Sequence, residues 1–244
     1  MVCPLQFTHS AEPMPYLKRI VCLANSFKKG GTCVAGKEVL ASGYGGWIRP
    51  VSARPTAELW LAECVYERGG IPKPLDIVDV PLLSPAPRGH QTENHLIDPA
   101  RSWVKVGQLP LRELPELQDR PAALWINSGS TSAGAFNCVS QEEAGTLHDS
   151  LALIRPQNFV VKVGSRRRDG RPIRDYRARF EYRGVSYILQ LTDPDVMTAL
   201  EPANEGDHPL NDVHICVSLS EPWEKDKNRC HKLVAAVFNK PSLR

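Results

Sequence analysis

Between residues 173 and 192 the chain reads IRDYRARFEYRGVSYILQLT, and its apolar and polar positions alternate with a period of two. Successive side chains of a strand point to opposite faces, so Tyr176, Ala178, Phe180 and Tyr182 share one face while Asp175, Arg177, Arg179, Glu181 and Arg183 share the other. The first face demands a core. Arg183 and Gly184 supply a turn, and Val185, Tyr187, Leu189 and Leu191 resume the alternation, which predicts an antiparallel hairpin. Shorter apolar runs predict further strands in RIVCLA (19–24), GGWIRPVS (45–52), LDIVDVPLL (75–83), NFVVKV (158–163), VHICVSLS (213–220) and CHKLVAAVF (230–238). NSFKKGG after the first of these, and SRRRDGR (165–171) before the hairpin, read as loops.

Helical signals are few. LPLRELPELQ and SQEEAGTLHDSLALI predict short helices, and TDPDVMTALEPANEGDHPLND a helical turn followed by a loop. Many short strands separated by turn signals place the chain in the all-β class with some α insertions, as a barrel or sandwich. Residues 1–16, interrupted by Pro4, Pro13 and Pro15, read as a flexible arm. The rest divides into a strand-rich unit with an irregular, partly helical extension (17–154) and a second strand-rich unit (155–244), an outline that two small barrels fit.

Composition narrows the function classes. With 244 residues, 42% of them hydrophobic, the chain can bury a sizeable core, and its net charge of only +3 means that affinity for a polyanion must come from a local patch. No apolar run approaches a membrane span and the first residues lack the regions of a signal peptide, so a cytoplasmic location is expected. Seven cysteines, several within apolar runs and none in a CxxC pair, read mostly as reduced core residues. His214, Cys216, Cys230 and His231 can be drawn as a zinc site, but their spacing fits no common module, and no metal or cofactor is expected.

The local patch is basic. From 162 to 183 nine Lys or Arg face three acids, a balance of +6 that exceeds the charge of the whole chain. Guanidinium groups present a planar fork to phosphate oxygens, which makes Arg166, Arg167, Arg168, Arg171, Arg177, Arg179 and Arg183 candidate phosphate ligands. A solvated strand face whose arginines pair with Asp175 and Glu181 is the alternative.

Longer words in the sequence go further. KRIVCLANSFKKGGTCVAGKEV, GGWIRPVS, QTENHLID, YRGVSYILQLTDP, CVSLSEPW and CHKLVAAVF, in this order over most of residues 17–238, resemble the dual OB-containing domain family of bacteria. The resemblance implies two oligonucleotide/oligosaccharide-binding barrels in one chain. It also implies a bacterial conflict or antiviral defence setting and the sensing of nucleic acid or nucleotides, and it carries no catalytic residue set. Barrels of this kind bind single strands through a basic groove and aromatic platforms.

On that footing Trp47 and Arg49 form a stacking-and-phosphate pair, bordered by Arg19, Asn25, Ser26 and Lys28, although Trp47 can equally fill a core and Arg49 a buried ion pair. Gln91, Glu93 and Asn94 belong to a dense polar block suited to base edges or to local capping, and Trp223 and Lys232 lie in the last matching words. Glu93 and His95 are an acid–base pair without a nucleophile, and motifs such as GxxxxGK[ST], HExxH and GxSxG are missing, so no catalytic residue is assigned. The expected function is non-catalytic binding of single-stranded DNA or RNA, or of a nucleotide-like ligand. The alternatives are a protein-interaction module for a partner encoded in the same operon and a nucleotide-processing enzyme.

Overall fold

A bend in the first strand lets the first sheet close on itself. The computed structural model describes residues 14–28, 30–168 and 170–238; most of the expected N-terminal arm lies outside them. The first half of β1 (Tyr16–Lys28) and the second half have different neighbours. From Ile20 onward β1 pairs with β2 (Gly31–Leu40), which leads into β3 (Gly43–Val51). From Tyr16 to Val21 it pairs with β4 (Asp76–Pro85). A register slip between Cys22 and Ala24 marks a bulge at the change of partner, where an extra residue sharpens the bend. β5 (Asn94–Ile97) lies parallel to β3 and antiparallel to β4, which completes the ring β1-β2-β3-β5-β4, and β6 (Val104–Gln108) extends β4 outside it.

The second sheet repeats this order. After a small hairpin, β7 (Gly129–Thr131) and β8 (Gly134–Val139), comes the four-residue helix α1 (Gln141–Ala144), closed by a capping box between Ser140 and Glu143. β9 (Leu151–Ile154) and β10 (Gln157–Arg168) are one strand broken at Arg155-Pro156, where proline withholds an N–H from the ladder. The expected division after residue 154 falls in this break. β10 pairs with β11 (Arg171–Tyr182), and β11 with β12 (Val185–Leu191). Then follow α2 (Pro194–Ala199), capped by Asp193, and β13 (Gly206–Pro209) on the outer edge of β10. β14 (His214–Leu219) pairs with β9 and with β15 (Cys230–Phe238), which runs parallel to β12. With β9 and β10 counted as one strand, the ring is again first-second-third-fifth-fourth, so the chain is all-β with two OB-like barrels.

Three apolar clusters explain the sequence pattern. Ile20, Cys22, Val34, Ile48, Val78, Val80, Leu82 and Trp103 fill barrel 1. Val161, Tyr176, Ala178, Phe180, Tyr187, Leu189 and Val234 fill barrel 2, where Phe180 stacks between Phe159 and Tyr187 at 6.1 and 5.5 Å. Between them, Val21, Leu23, Ala24 and Ala35 from barrel 1 meet Leu151, Leu153, Cys216, Ala235, Ala236 and Phe238 from barrel 2, together with Leu114 and Leu117 of the 3-10 turn Leu111–Leu117. Each joint strand therefore buries both faces. That is why IVCLA and LALI are continuous runs without alternation, and why LALI carries no strand periodicity in the sequence.

One local expectation changes and another holds. Residues 165–171 are not a loop, because β10 extends to Arg168 and β11 begins at Arg171, which puts the arginines on a ladder. The hairpin turn at Arg183-Gly184 forms as read, with φ of 52° and 76°, as a two-residue connection requires. Among the described residues no helix is long and apolar enough to cross a membrane.

Close approach also fixes one glycine. A Cβ on Gly36 would lie 2.1 Å from the Val21 carbonyl oxygen beside the β1 bulge. Gly36→Ala is expected to lower stability by about 1–3 kcal/mol through forced backbone displacement, read as an earlier urea midpoint at unchanged slope.

Candidate functional site

The polar block QTENH, expected to read bases or cap a turn, rivets the barrels together. Arg49 on β3 and Glu93 form an ion pair at 3.0 Å with side chains 3% and 5% exposed. Arg49 Nη2 donates to Ser150 Oγ at 2.8 Å and to Ser218 Oγ at 3.4 Å, and Ser150 Oγ donates to Glu93, so both charges of barrel 1 are bonded to hydroxyls of barrel 2. Gln91 Nε2 donates to the Leu219 carbonyl, Thr92 Oγ1 to that of His148, and His90 Nε2 lies 3.1 Å from that of Ser220. On the other flank Asp119 accepts from Lys37, Trp47 Nε1 and the Leu153 amide. Desolvation makes such charges costly unless fully partnered, and here both barrels share the partnering.

Beside this joint opens a cleft of about 750 Å³. Barrel 1 contributes Ser26, Phe27, Cys33, Arg49 and Gln91; the strands of barrel 2 contribute Arg166, Arg177, Gln190 and Thr192. The β14–β15 connection adds Glu221, Trp223, Asp226 and Arg229, and the β7–β8 hairpin adds Ser130, Thr131, Ser132 and Asn137. Four arginines and Lys232 line it against the carboxylates Glu221 and Asp226, and with Glu93 and Asp175 counted as the partners of Arg49 and of Arg166 and Arg177 a small positive excess is left.

Its charges are positioned rather than loose. Arg166 and Arg177 share Asp175 at 3.1 and 2.8 Å, which holds two guanidinium groups on one wall. Arg229 is bonded to Asp226, and this bond holds the Asp226 carboxyl below the usual carboxylate range. His231 lies 2.9 Å from the same carboxylate, yet burial keeps its pKa below the ordinary value. Lys232 borders the cleft, but its ammonium donates to the Ile126 carbonyl and to Asn127 Oδ1, both at 2.9 Å, over the Tyr187 ring.

Two large aromatic rings stand open in the cleft. Phe27, near the end of β1, is 68% exposed, and Trp223 is 48% exposed. The Trp223 backbone is pinned by Arg229 and Asn228 across a turn in which Lys227 and Asn228 take left-handed φ of 54° and 55°, and its ring meets His231 edge-on at 5.8 Å. Trp60, the other exposed aromatic among the described residues, lies outside the cleft and is covered by the Arg54 guanidinium at 4.1 Å.

Of the residues singled out in the sequence, the cleft gathers Ser26, Arg49, Gln91, Arg166, Arg177, Trp223 and Lys232. Glu93 and Asn94 lie in the joint instead, with Asn94 donating to Gln91, and Trp47 packs against the shared core under Asp119. Arg19 is bound bidentately to Asp79, and Asn25 donates to the Pro72 carbonyl. Arg167, Arg171 and Arg183 are exposed away from the cleft, and the side chains of Lys28 and Arg168 lie outside the described residues. His95 Nδ1 is 2.5 Å from the Tyr16 hydroxyl, while Glu93 faces Arg49.

Arg179 belongs to a second hollow of about 920 Å³ on barrel 2. Its two arginines are neutralised there, Arg179 by Asp207 at 2.8 Å and Arg155 by Asp212 at 3.0 Å. That hollow offers no comparable excess of positive charge. Phe27, Arg229 and Gln190 were not expected. Phe27 is followed by KKGG, which reads as a polar loop, and Arg229 sits in EKDKNR, where mixed charge hides it.

Residues 18–237 match the family model of a dual OB-containing domain. No curated protein matches the chain. No solved structure does either.

Proposed function

The chain belongs to the dual OB-containing domain family, and from that premise we propose that it binds single-stranded nucleic acid or a nucleotide-like anion in the cleft between its barrels. One observation carries the reading: a net-positive cleft in which arginines on fixed carboxylate supports stand beside uncovered aromatic rings. Arginine forks suit phosphate oxygens and open rings suit base faces, the two chemistries that single-strand binders combine. Arg166, Arg177 and Arg229 take phosphate in this reading, and Phe27 and Trp223 take bases.

The test is fluorescence anisotropy of labelled single-stranded DNA, RNA and duplex at two salt concentrations. Arg166→Ala/Arg177→Ala is expected to weaken single-strand binding by about tenfold or more and to flatten its salt dependence. Arg179→Ala/Arg183→Ala, outside the cleft, is expected to leave binding within about twofold, since surface charges distant from the ligand are screened. Equal losses from both pairs would place the ligand on the outer hairpin face. Salt-insensitive binding, or none, would favour a protein partner.

A further inference from the structure

The cleft is bounded on several sides: barrel 1 stands on one, the β10–β12 strands on another, and the β14–β15 connection and the β7–β8 hairpin supply further walls. Its volume of about 750 Å³ lies within the roughly 300–1,000 Å³ that encloses a small ligand. An open single-strand groove, by contrast, tracks about 4–16 nucleotides per barrel. Its two uncovered rings come from different barrels, Phe27 from β1 and Trp223 from the β14–β15 connection.

An exposed aromatic ring gains nothing from water, and among the described residues no cation stands over either of these two. The third exposed aromatic does have such a cation. The shared wall of Arg166 and Arg177, with Arg229 beside Trp223, puts phosphate donors in the same cleft.

We propose, on the basis of the cleft reading above, that the ligand is a dinucleotide-sized molecule that bridges the barrels, with one base on Phe27, the other on Trp223 and its phosphate at the arginines. Such a ligand satisfies both rings at once. A mononucleotide covers one ring, and nucleotides beyond the second or third hang outside the walls.

The experiment is a length series of mono-, di-, tri- and tetranucleotides of one base, titrated calorimetrically into the full chain, with Phe27→Ala and Trp223→Ala alongside. Each ring is exposed, so neither substitution removes core packing. The expected result is a rise in affinity of at least tenfold from one nucleotide to two, then a plateau within about threefold. Either substitution is expected to remove that first step. Equal affinity for mono- and dinucleotides, or affinity that keeps climbing through the tetranucleotide, overturns this inference while leaving the cleft as a nucleic-acid site. A step that survives both substitutions also overturns it. If nothing in the series binds, the cleft reading itself falls.

Discussion

Glu93→Ala is expected to cost the fold about 3–5 kcal/mol, far more than an exposed carboxylate would. The substitution leaves the Arg49 guanidinium 3% exposed with no carboxylate, and it takes away the acceptor that orients Ser150. Removing one partner of a buried pair is worse than removing both, so Arg49→Met/Glu93→Leu is expected to recover much of the loss. The position of the pair adds a second expectation. Because Arg49 and Glu93 belong to barrel 1 while Ser150 and Ser218 belong to barrel 2, and because the joint cluster is shared, the barrels should unfold together. Urea unfolding followed by tryptophan fluorescence and by circular dichroism should give one coincident transition, shifted to lower urea in Glu93→Ala. A loss below about 1 kcal/mol, or two resolved transitions in the parent protein, would mean that the joint is a loose contact.

The same joint marks the boundary of what the sequence made legible. The hairpin β11–β12 was readable because one face meets a core and the other meets solvent, so alternation survives in Tyr176 to Leu191. In β9 both faces are buried, Ala152 and Ile154 in barrel 2 and Leu151 and Leu153 in the joint, and a four-residue apolar run beside a capped helical turn carries no period to read. β2 carries no readable alternation for a related reason: Gly36 is required by the Val21 carbonyl, and the register slips that flank it break the alternation. The QTENH block was conspicuous as polar, but whether polar groups bind a ligand or a neighbouring domain depends on what docks against them. Here the partners, His148, Ser150, Leu219 and Ser220, lie more than fifty residues away in the chain. The arginine run was visible as charge, yet charge alone does not tell which side of a curled sheet each residue faces. Closure of the barrel puts Arg166 and Arg177 in the cleft and Arg179 in the second hollow.

Lys232 gives the second large effect, and its sign is opposite to that of the buried thiols. Lys232 is buried, its ammonium is held by two neutral oxygens and a ring face, and burial pushes its pKa down to about 8 from an ordinary 10.5. Between about pH 8 and 10.5 the unfolded chain keeps a proton that the folded chain has released, so stability rises with pH across that window, by roughly 3 kcal/mol for this group. Below pH 8 both states hold the proton and the contribution is flat. The groups around it are Cys138 on β8, Glu143 on α1 and Tyr187 on β12, with Arg177, Asp226, Arg229 and His231 lining the same cleft. Glu143 and His231 both have lowered pKa values and do not titrate in the window. Burial raises the thiols of Cys22, Cys138 and Cys216, whose unfolded counterparts ionise first, so they make stability fall at the same pH. The informative quantity is therefore the difference between the parent protein and Lys232→Met. Methionine keeps the length of the side chain and removes the proton, while the thiol contributions cancel. Unfolding free energies measured at pH 7, 8, 9 and 10 should show the parent gaining on the variant by about 2 kcal/mol between pH 8 and 10, whatever their offset at pH 7. A constant difference across that range would mean that the amine ionises as freely in the fold as in water, and that the cage of Ile126, Asn127 and Tyr187 is open to solvent.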